Sequence, residues 1–231
     1  MKFSATWMIA LRALRRNLMR TGLTMLGIII GVAVVIAMVA IGTGAREQVA
    51  ASIAQIGQNT ILVMSGATSR GGVRGGWGSA PTLTRQDYEA IREEIPGVIR
   101  ATPDVRKGAQ VMAGNQNVNT SVNGAGEDFV EIRAWGFAEG GNFSALDIKT
   151  KAKVAILGQT VATNLFGDAS PVGQVVRIQN VPYQVVGLLK PKGMSMMGSD
   201  QDDVVLVPWT SALVRLTGTD SFRAITVQVE S

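Results

Sequence analysis

Three methionines, Met194, Met196 and Met197, stand in the run GMSMMG just ahead of three aspartates, Asp200, Asp202 and Asp203. Thioether sulfurs are soft ligands suited to Cu(I), so this cluster is the chain's best case for a metal site. A mobile loop whose methionines form an adaptable contact surface accounts for the same residues with less, and is preferred. Other chemistry is scarcer still. The 231 residues include no cysteine and no histidine, which removes disulfides, thiol and Ser-His-Asp nucleophiles, and most zinc sites. No pair of carboxylates shows a catalytic spacing. No GxxxxGK[ST] loop occurs, and Gly71, Gly72, Gly75 and Gly76 lack both the lysine and the strand-to-helix context that phosphate binding needs. The chain reads as a non-enzyme with no catalytic residue, no cofactor and no metal.

The charges say more about what positions the chain. Lys2, Arg12, Arg15, Arg16 and Arg20 precede a stretch to Arg46 that holds no charged residue. Within it Thr21 to Ile41, as a helix, would span roughly 32 Å, matching a hydrocarbon core of about 30 Å. Residues 21–44 are therefore expected to cross a membrane. The positive-inside rule leaves residues 1–20 in the cytoplasm and the rest outside. Removing those five cations from the 22 Lys and Arg leaves 17, equal to the 17 Asp and Glu. The outer part then has no excess positive charge to meet nucleic acid, despite a pI near 9.9. A cleaved signal peptide is the rival, but the apolar run exceeds the 7–15 residues of its h-region.

Phe3, Trp7, Leu11, Leu14 and Leu18 follow helical spacing beside Arg12, Arg15, Arg16 and Arg20. Residues 1–20 are therefore expected to form a basic amphipathic helix, either lying on an anionic lipid surface, which is preferred, or extending the membrane helix into the cytoplasm. Gly27 and Gly31 make a GxxxG, a face on which another helix can approach closely. Residues 45–57 keep helical spacing as a stalk ending at Gly57. Beyond it, Asn59 to Met64 predicts a strand, and residues 65–81 a mobile glycine-rich loop. Thr84, with Asp87 three residues on, opens a helix with Tyr88, Ile91 and Ile95 on one face.

From Val98 to Asn123 alternation predicts strands turning at Gly114-Asn115. Phe129 to Phe137 leads into a loop at residues 139–142. Strand 154–158 precedes a short helix, 159–166. A β pair, 175–179 with 183–189, turns across Asn180-Val181-Pro182, and 190–203 is a flexible loop. Strand 204–207, a helix from Pro208 to about Leu216 and strand 224–229 finish the chain. Strands and helices mix without a βαβ period, which is an α+β class.

Taken in order, several segments look familiar. ALRALRRNLMRTGLTMLGIIIGVAVVIAMVAIGTGA (10–45) resembles the first membrane segment of MacB/FtsX-like ABC transporter permeases. Gly57–Thr60, LTRQDYEAIREEIPGV (83–98), KVAILGQTVATNLFG (153–167), SPVGQVVRI (170–178), YQVVGLLKPKG (183–193) and DVVLVPWTSALVRLTG (203–218) resemble the MacB-like periplasmic core domain, over nearly the whole chain. The resemblance implies a two-lobed periplasmic domain at 58–231, one lobe built from discontinuous segments, in a bacterial inner-membrane protein. It implies a homo- or heterodimer of permeases, a cytoplasmic ABC ATPase subunit on a separate chain, and a periplasmic adaptor. Motion of the outer domain would then couple ATP hydrolysis to export or efflux. Leu165, Phe166, Gly167, Pro171 and Gly173 carry the family's structural motifs, with glycines for turns and Leu and Phe for the core. Family members normally have four membrane helices. Only the first is present, so a fragment or early-terminating product is expected, unable to transport alone. The alternative is a bitopic envelope protein that binds or scaffolds without any ATPase. Neither reading names the cargo.

Overall fold

The computed structural model describes residues 7–8, 17–56, 59–67, 69–70, 73–74, 76, 80, 82–195 and 198–230. Two compact units divide the chain, Met1–Ala51 and Ser52–Ser231. In the first, Trp7 and Met8 are helical and exposed, and helix α1 (Leu18–Ile56) follows. Every residue from Gly22 to Glu47 is exposed. Apolar side chains cover all sides of this stretch, the pattern of a helix meant for lipid rather than for a protein core. Leu18–Glu47 is long and apolar enough to cross a membrane. Two of its hydroxyls bond within the helix: Thr24 donates to the carbonyl of Arg20 at 2.8 Å and Thr43 to that of Val39 at 3.0 Å. The expected stalk is continuous with α1 as far as Ile56.

In the second unit, β1 (Thr60–Met64) is followed by β2 (Ser69–Arg70) and β3 (Val73–Arg74), which pair with each other. This short ladder lies within the glycine-rich loop expected across 65–81. Next, β4 (Leu83–Thr84) leads into α2 (Arg85–Glu94). Thr84 caps α2 as expected: its hydroxyl accepts from Asp87 N, and the Asp87 carboxylate accepts from Thr84 N at 2.7 Å. Tyr88 is buried, but Ile95 is half-exposed at the C-cap, outside the apolar face assigned to it.

Strands β5 (Val98–Ala113) and β6 (Gln116–Ala125) form the long hairpin expected at Gly114-Asn115. A short helix, α3 (Phe129–Ile132), then precedes β7 (Phe137–Gly140). The following helix α4 (Ala145–Lys149) was not expected, although Ser144 and Asp147 close a capping box at its start. Strand β8 (Val154–Leu157), helix α5 (Gln159–Phe166), β9 (Val175–Ile178) and β10 (Val181–Leu189) come next. The β9–β10 turn is Gln179-Asn180, both at positive φ (48° and 68°), so Val181 and Pro182 join the strand instead of the turn. Two left-handed residues in a two-residue loop match the twist of the flanking strands, and asparagine tolerates that geometry. The chain ends with β11 (Val204–Pro208), α6 (Trp209–Ala212) passing into a π turn at Leu213–Thr217, β12 (Ser221–Phe222) and β13 (Ala224–Val229).

The strands line up in one sheet, β1-β13-β5-β6-β11-β8-β10-β7, with β9 beside β10 and β5, while β12 pairs with β4. Discontinuous stretches thus build the β1-β13-β5 part, and the middle of the chain builds the rest. Along β8 and β11 both faces are buried. Ala155, Leu157, Val205 and Val207 point into one apolar cluster with Val161, Leu165, Trp209 and Leu213. Ile156, Val204 and Leu206 point into another with Val130, Phe143 and Leu189. That is why VAIL and VVLV read as unbroken apolar runs instead of alternating ones.

Candidate functional site

Polar side chains gather where the open face of the β5–β6 hairpin meets the segment after β10. Arg106 of β5 pairs in register with Asn123 of β6, with Ser121 two residues away. Alternation places these on the face opposite Val105 and Val122, which are buried in the core. Together with Phe129, Arg133 and Trp135 around α3, and Ser195, Ser199, Asp200, Gln201 and Asp203 from the 190–203 segment, they line a cleft of about 310 Å³.

The described residues of the 190–203 segment, where a flexible loop is expected, are tied down by hydrogen bonds. Its root is clamped by buried Asp202, whose carboxylate accepts from the amides of Lys192 and Gly193, each at 2.8 Å. Higher up, Ser195 and Ser199 are joined by backbone and hydroxyl hydrogen bonds, and Met194 bridges to Asp200. Asp200 also accepts from the Thr160 hydroxyl at 2.7 Å and from Asp202 N at 2.9 Å. A buried carboxylate satisfied by backbone amides is a strong fastening for a loop that carries no apolar core of its own.

Across the cleft the charges are positive. Burial, reinforced by Arg106, lowers the affinity of the Arg133 guanidinium for its proton, and Asp104 opposes the shift. The guanidinium lies 5.8 Å from the Phe129 ring. Behind it the Lys192 amine sits 4.9 Å from the Trp135 ring and donates to the Arg133 carbonyl. Burial and the Arg133 charge push that amine down to about 8, against the pull of Asp202. Trp135 is held in turn by its indole N–H, which donates to Lys190 O at 2.8 Å. A second groove, of about 580 Å³, lies further out on the same hairpin and is lined by Gln110, Asn117, Asn119, Gln179 and Asn180 without any charged group.

The residues singled out from sequence fall elsewhere. Gly27 and Gly31 lie on the exposed part of α1, and a Cβ added at either would touch nothing within 4 Å. Arg20 is exposed in the first turn of α1, while Arg12, Arg15 and Arg16 lie outside the described residues. Leu165 is buried and Phe166 packs partly buried against the same cluster. Gly167 ends α5 at φ 61°, and Gly173 turns at φ 85° while its amide donates to Val185 O at 2.8 Å, next to buried Pro171. None of these lines the cleft. Met196 and Met197 lie outside the described residues, and Met194 is exposed. Among the described residues no cluster of acidic side chains is placed to hold a metal ion. Sequence reasoning missed Arg106, Asn123, Arg133 and Trp135, which carry no mutual spacing. Asp200 to Asp203 was the one part of the cleft visible beforehand.

Residues 21–231 match the MacB-like periplasmic core domain family. The macrolide export ATP-binding/permease protein MacB of Syntrophobacter fumaroxidans is 46% identical over 218 residues, 94% of this chain and 30% of that protein. The protein of the same description from Azoarcus sp. is 43% identical, over 96% of this chain and 33% of its own length. The chain therefore spans about a third of the length of these relatives. Among solved structures, the periplasmic region of MacB from Actinobacillus actinomycetemcomitans superposes with TM-score 0.65 at 21% identity, covering 78% of each chain. The extracellular domain of the noncanonic ABC-type transporter YknZ from Gram-positive bacteria superposes with TM-score 0.60, also at 21% identity, over 75% of this chain and 84% of its own.

Proposed function

This chain belongs to the MacB-like periplasmic core domain family, and from that premise we propose that it is the outer-domain portion of an export permease. In this reading α1 crosses the bacterial inner membrane once within residues 1–231, with its arginine-flanked end in the cytoplasm. The strand-rich domain lies outside. ATP hydrolysis is supplied by an ABC ATPase beyond these residues, the permease acts as a dimer, and domain motion drives cargo toward a periplasmic adaptor. Gly27 and Gly31 form the face on which a second membrane helix packs, since small residues let backbones approach where lipid offers no hydrophobic drive. The observation that carries the reading is one chain joining an exposed apolar helix, uncharged from residue 21 to 45, to a MacB-type domain.

Two experiments test it. The native chain has no cysteine, so single cysteines report topology cleanly. Asp168→Cys should react with a membrane-impermeant maleimide in spheroplasts, and Ser4→Cys only after permeabilisation; the reverse pattern refutes the orientation. For export, the 59–230 domain replaces its counterpart in a macrolide-exporting relative. Retained macrolide resistance supports the reading. Loss of resistance with normal membrane levels of the chimera counts against a shared export role.

A further inference from the structure

The cleft between the β5–β6 hairpin and the 190–203 loop carries a charge arrangement that the proposed export role does not use. Arg106 and Arg133, from the hairpin and the segment around α3, line one side, and Asp200 and Asp203, from the 190–203 segment, the other. The ion pairs among the described residues join Arg85 to Glu89, Arg92 to Glu127 and Arg100 to Glu131; none involves these four. Opposite charges thus face each other across the cleft without closing it. A partly desolvated cation without a counter-ion is costly, and the cost here falls on Arg133, which is withdrawn from solvent. Lys192, close behind, adds positive charge, while Asp104 offsets part of it and Asp202 is committed to the loop amides. Phe129 and Trp135 line the same space.

We propose that this cleft binds a small zwitterion of the aromatic amino-acid class, its carboxylate on Arg133 and Arg106, its ammonium on Asp200 and its ring against Trp135 and Phe129. Each feature of the ligand answers one of the cleft. A guanidinium pair favours a planar carboxylate over a lone charge. Asp200 lines the cleft and is exposed, and its carboxylate, which accepts one bond on each oxygen from Thr160 and from Asp202 N, keeps lone pairs for an ammonium. A volume of about 310 Å³ is sufficient for one such molecule. The two charges must sit on one ligand, because either alone would leave the opposite wall unanswered. The inference does not depend on the export reading: a failed domain exchange leaves it standing.

The test uses the whole chain purified in detergent, titrated by calorimetry with L-phenylalanine, L-phenylalanine amide and N-acetyl-L-phenylalanine. Phenylalanine should bind, and each analogue, lacking one charge, should bind about tenfold more weakly or worse. Arg133→Gln should weaken phenylalanine about tenfold and abolish its preference over the amide. Asp200→Asn should abolish the preference over the N-acetyl form. Absence of binding by phenylalanine, or equal binding of all three probes, overturns the proposal. So does unchanged discrimination in Asp200→Asn, whatever Arg133→Gln does to folding.

Discussion

Replacing Gly158 by alanine should loosen the wall of the cleft from behind, and the size of the effect follows from the packing. Gly158 joins β8 to α5 at φ −77° and ψ 159°, a conformation open to any residue, so backbone strain plays no part. Space is the constraint. An added Cβ would collide with the carbonyl oxygen of Asp202, approach its carbonyl carbon to 2.9 Å and lie 3.1 Å from Val204 O. That last oxygen also accepts the Gly158 amide at 2.9 Å, so the β8 end and the 202–204 segment cannot separate without breaking the bond. The segment that must yield holds Asp202, which clamps the loop root, and Asp203, which lines the cleft. Overpacking of this kind costs about 3 kcal/mol. For a unit of Ser52–Ser231 that lowers Tm by roughly 6–12 °C. Differential scanning calorimetry of the purified chain measures it. Gly108→Ala is the control, since a Cβ there meets nothing within 4 Å, and it should stay within about 0.5 kcal/mol of the native chain. A native Tm in Gly158→Ala, or equal losses in both variants, would refute the reasoning.

Two other outcomes follow from packing and protonation. Phe222 is buried edge-on against Trp209 at 5.3 Å and Tyr88 at 6.1 Å. Phe222→Ala should cost about 3–5 kcal/mol and weaken the near-ultraviolet circular dichroism of that aromatic trio. Lys192 has a folded pKa of about 8, below the 10.5 of its unfolded state. The unfolded chain therefore holds more protons between these values, so this group makes stability rise with pH from about 8 to 10.5. Its destabilising effect is fully present below about 8. Lys192→Met should remove that rise, and parallel pH profiles of urea midpoint for variant and native chain would sink the assignment.

Some of this architecture was legible because its cause is local. The Thr84–Asp87 cap involves residues three apart, and the hairpin turn lies between strands that are consecutive in sequence. The second capping box, Ser144 with Asp147, carried the same signal but opens a helix of only five residues, too short for an apolar period to announce. The expected turn ran through Pro182, which the structure instead places in a strand. It is tolerated in β10, where register with Arg177 and burial of Tyr183 next to it outweigh the lost donor. The loop at 190–203 looked flexible from composition, since nothing nearby in sequence revealed that Asp202 would be buried under two backbone amides.

What the amino-acid sequence determined alone was the membrane-type helix, the charge asymmetry around it and the mixed class of the domain, along with the family resemblance. Each rests on composition or spacing within a few turns of chain, where backbone geometry and solvent decide the outcome. The cleft was decided only by the tertiary structure. Strand β11 lies parallel to β6 and antiparallel to β8, and this inserts the Asp200–Asp203 end of the loop beside Arg106, nearly a hundred positions earlier. No local rule brings those charges together. They meet because the apolar runs of β8 and β11 must be buried on both faces, and the sheet order that achieves this carries the polar loop along with it.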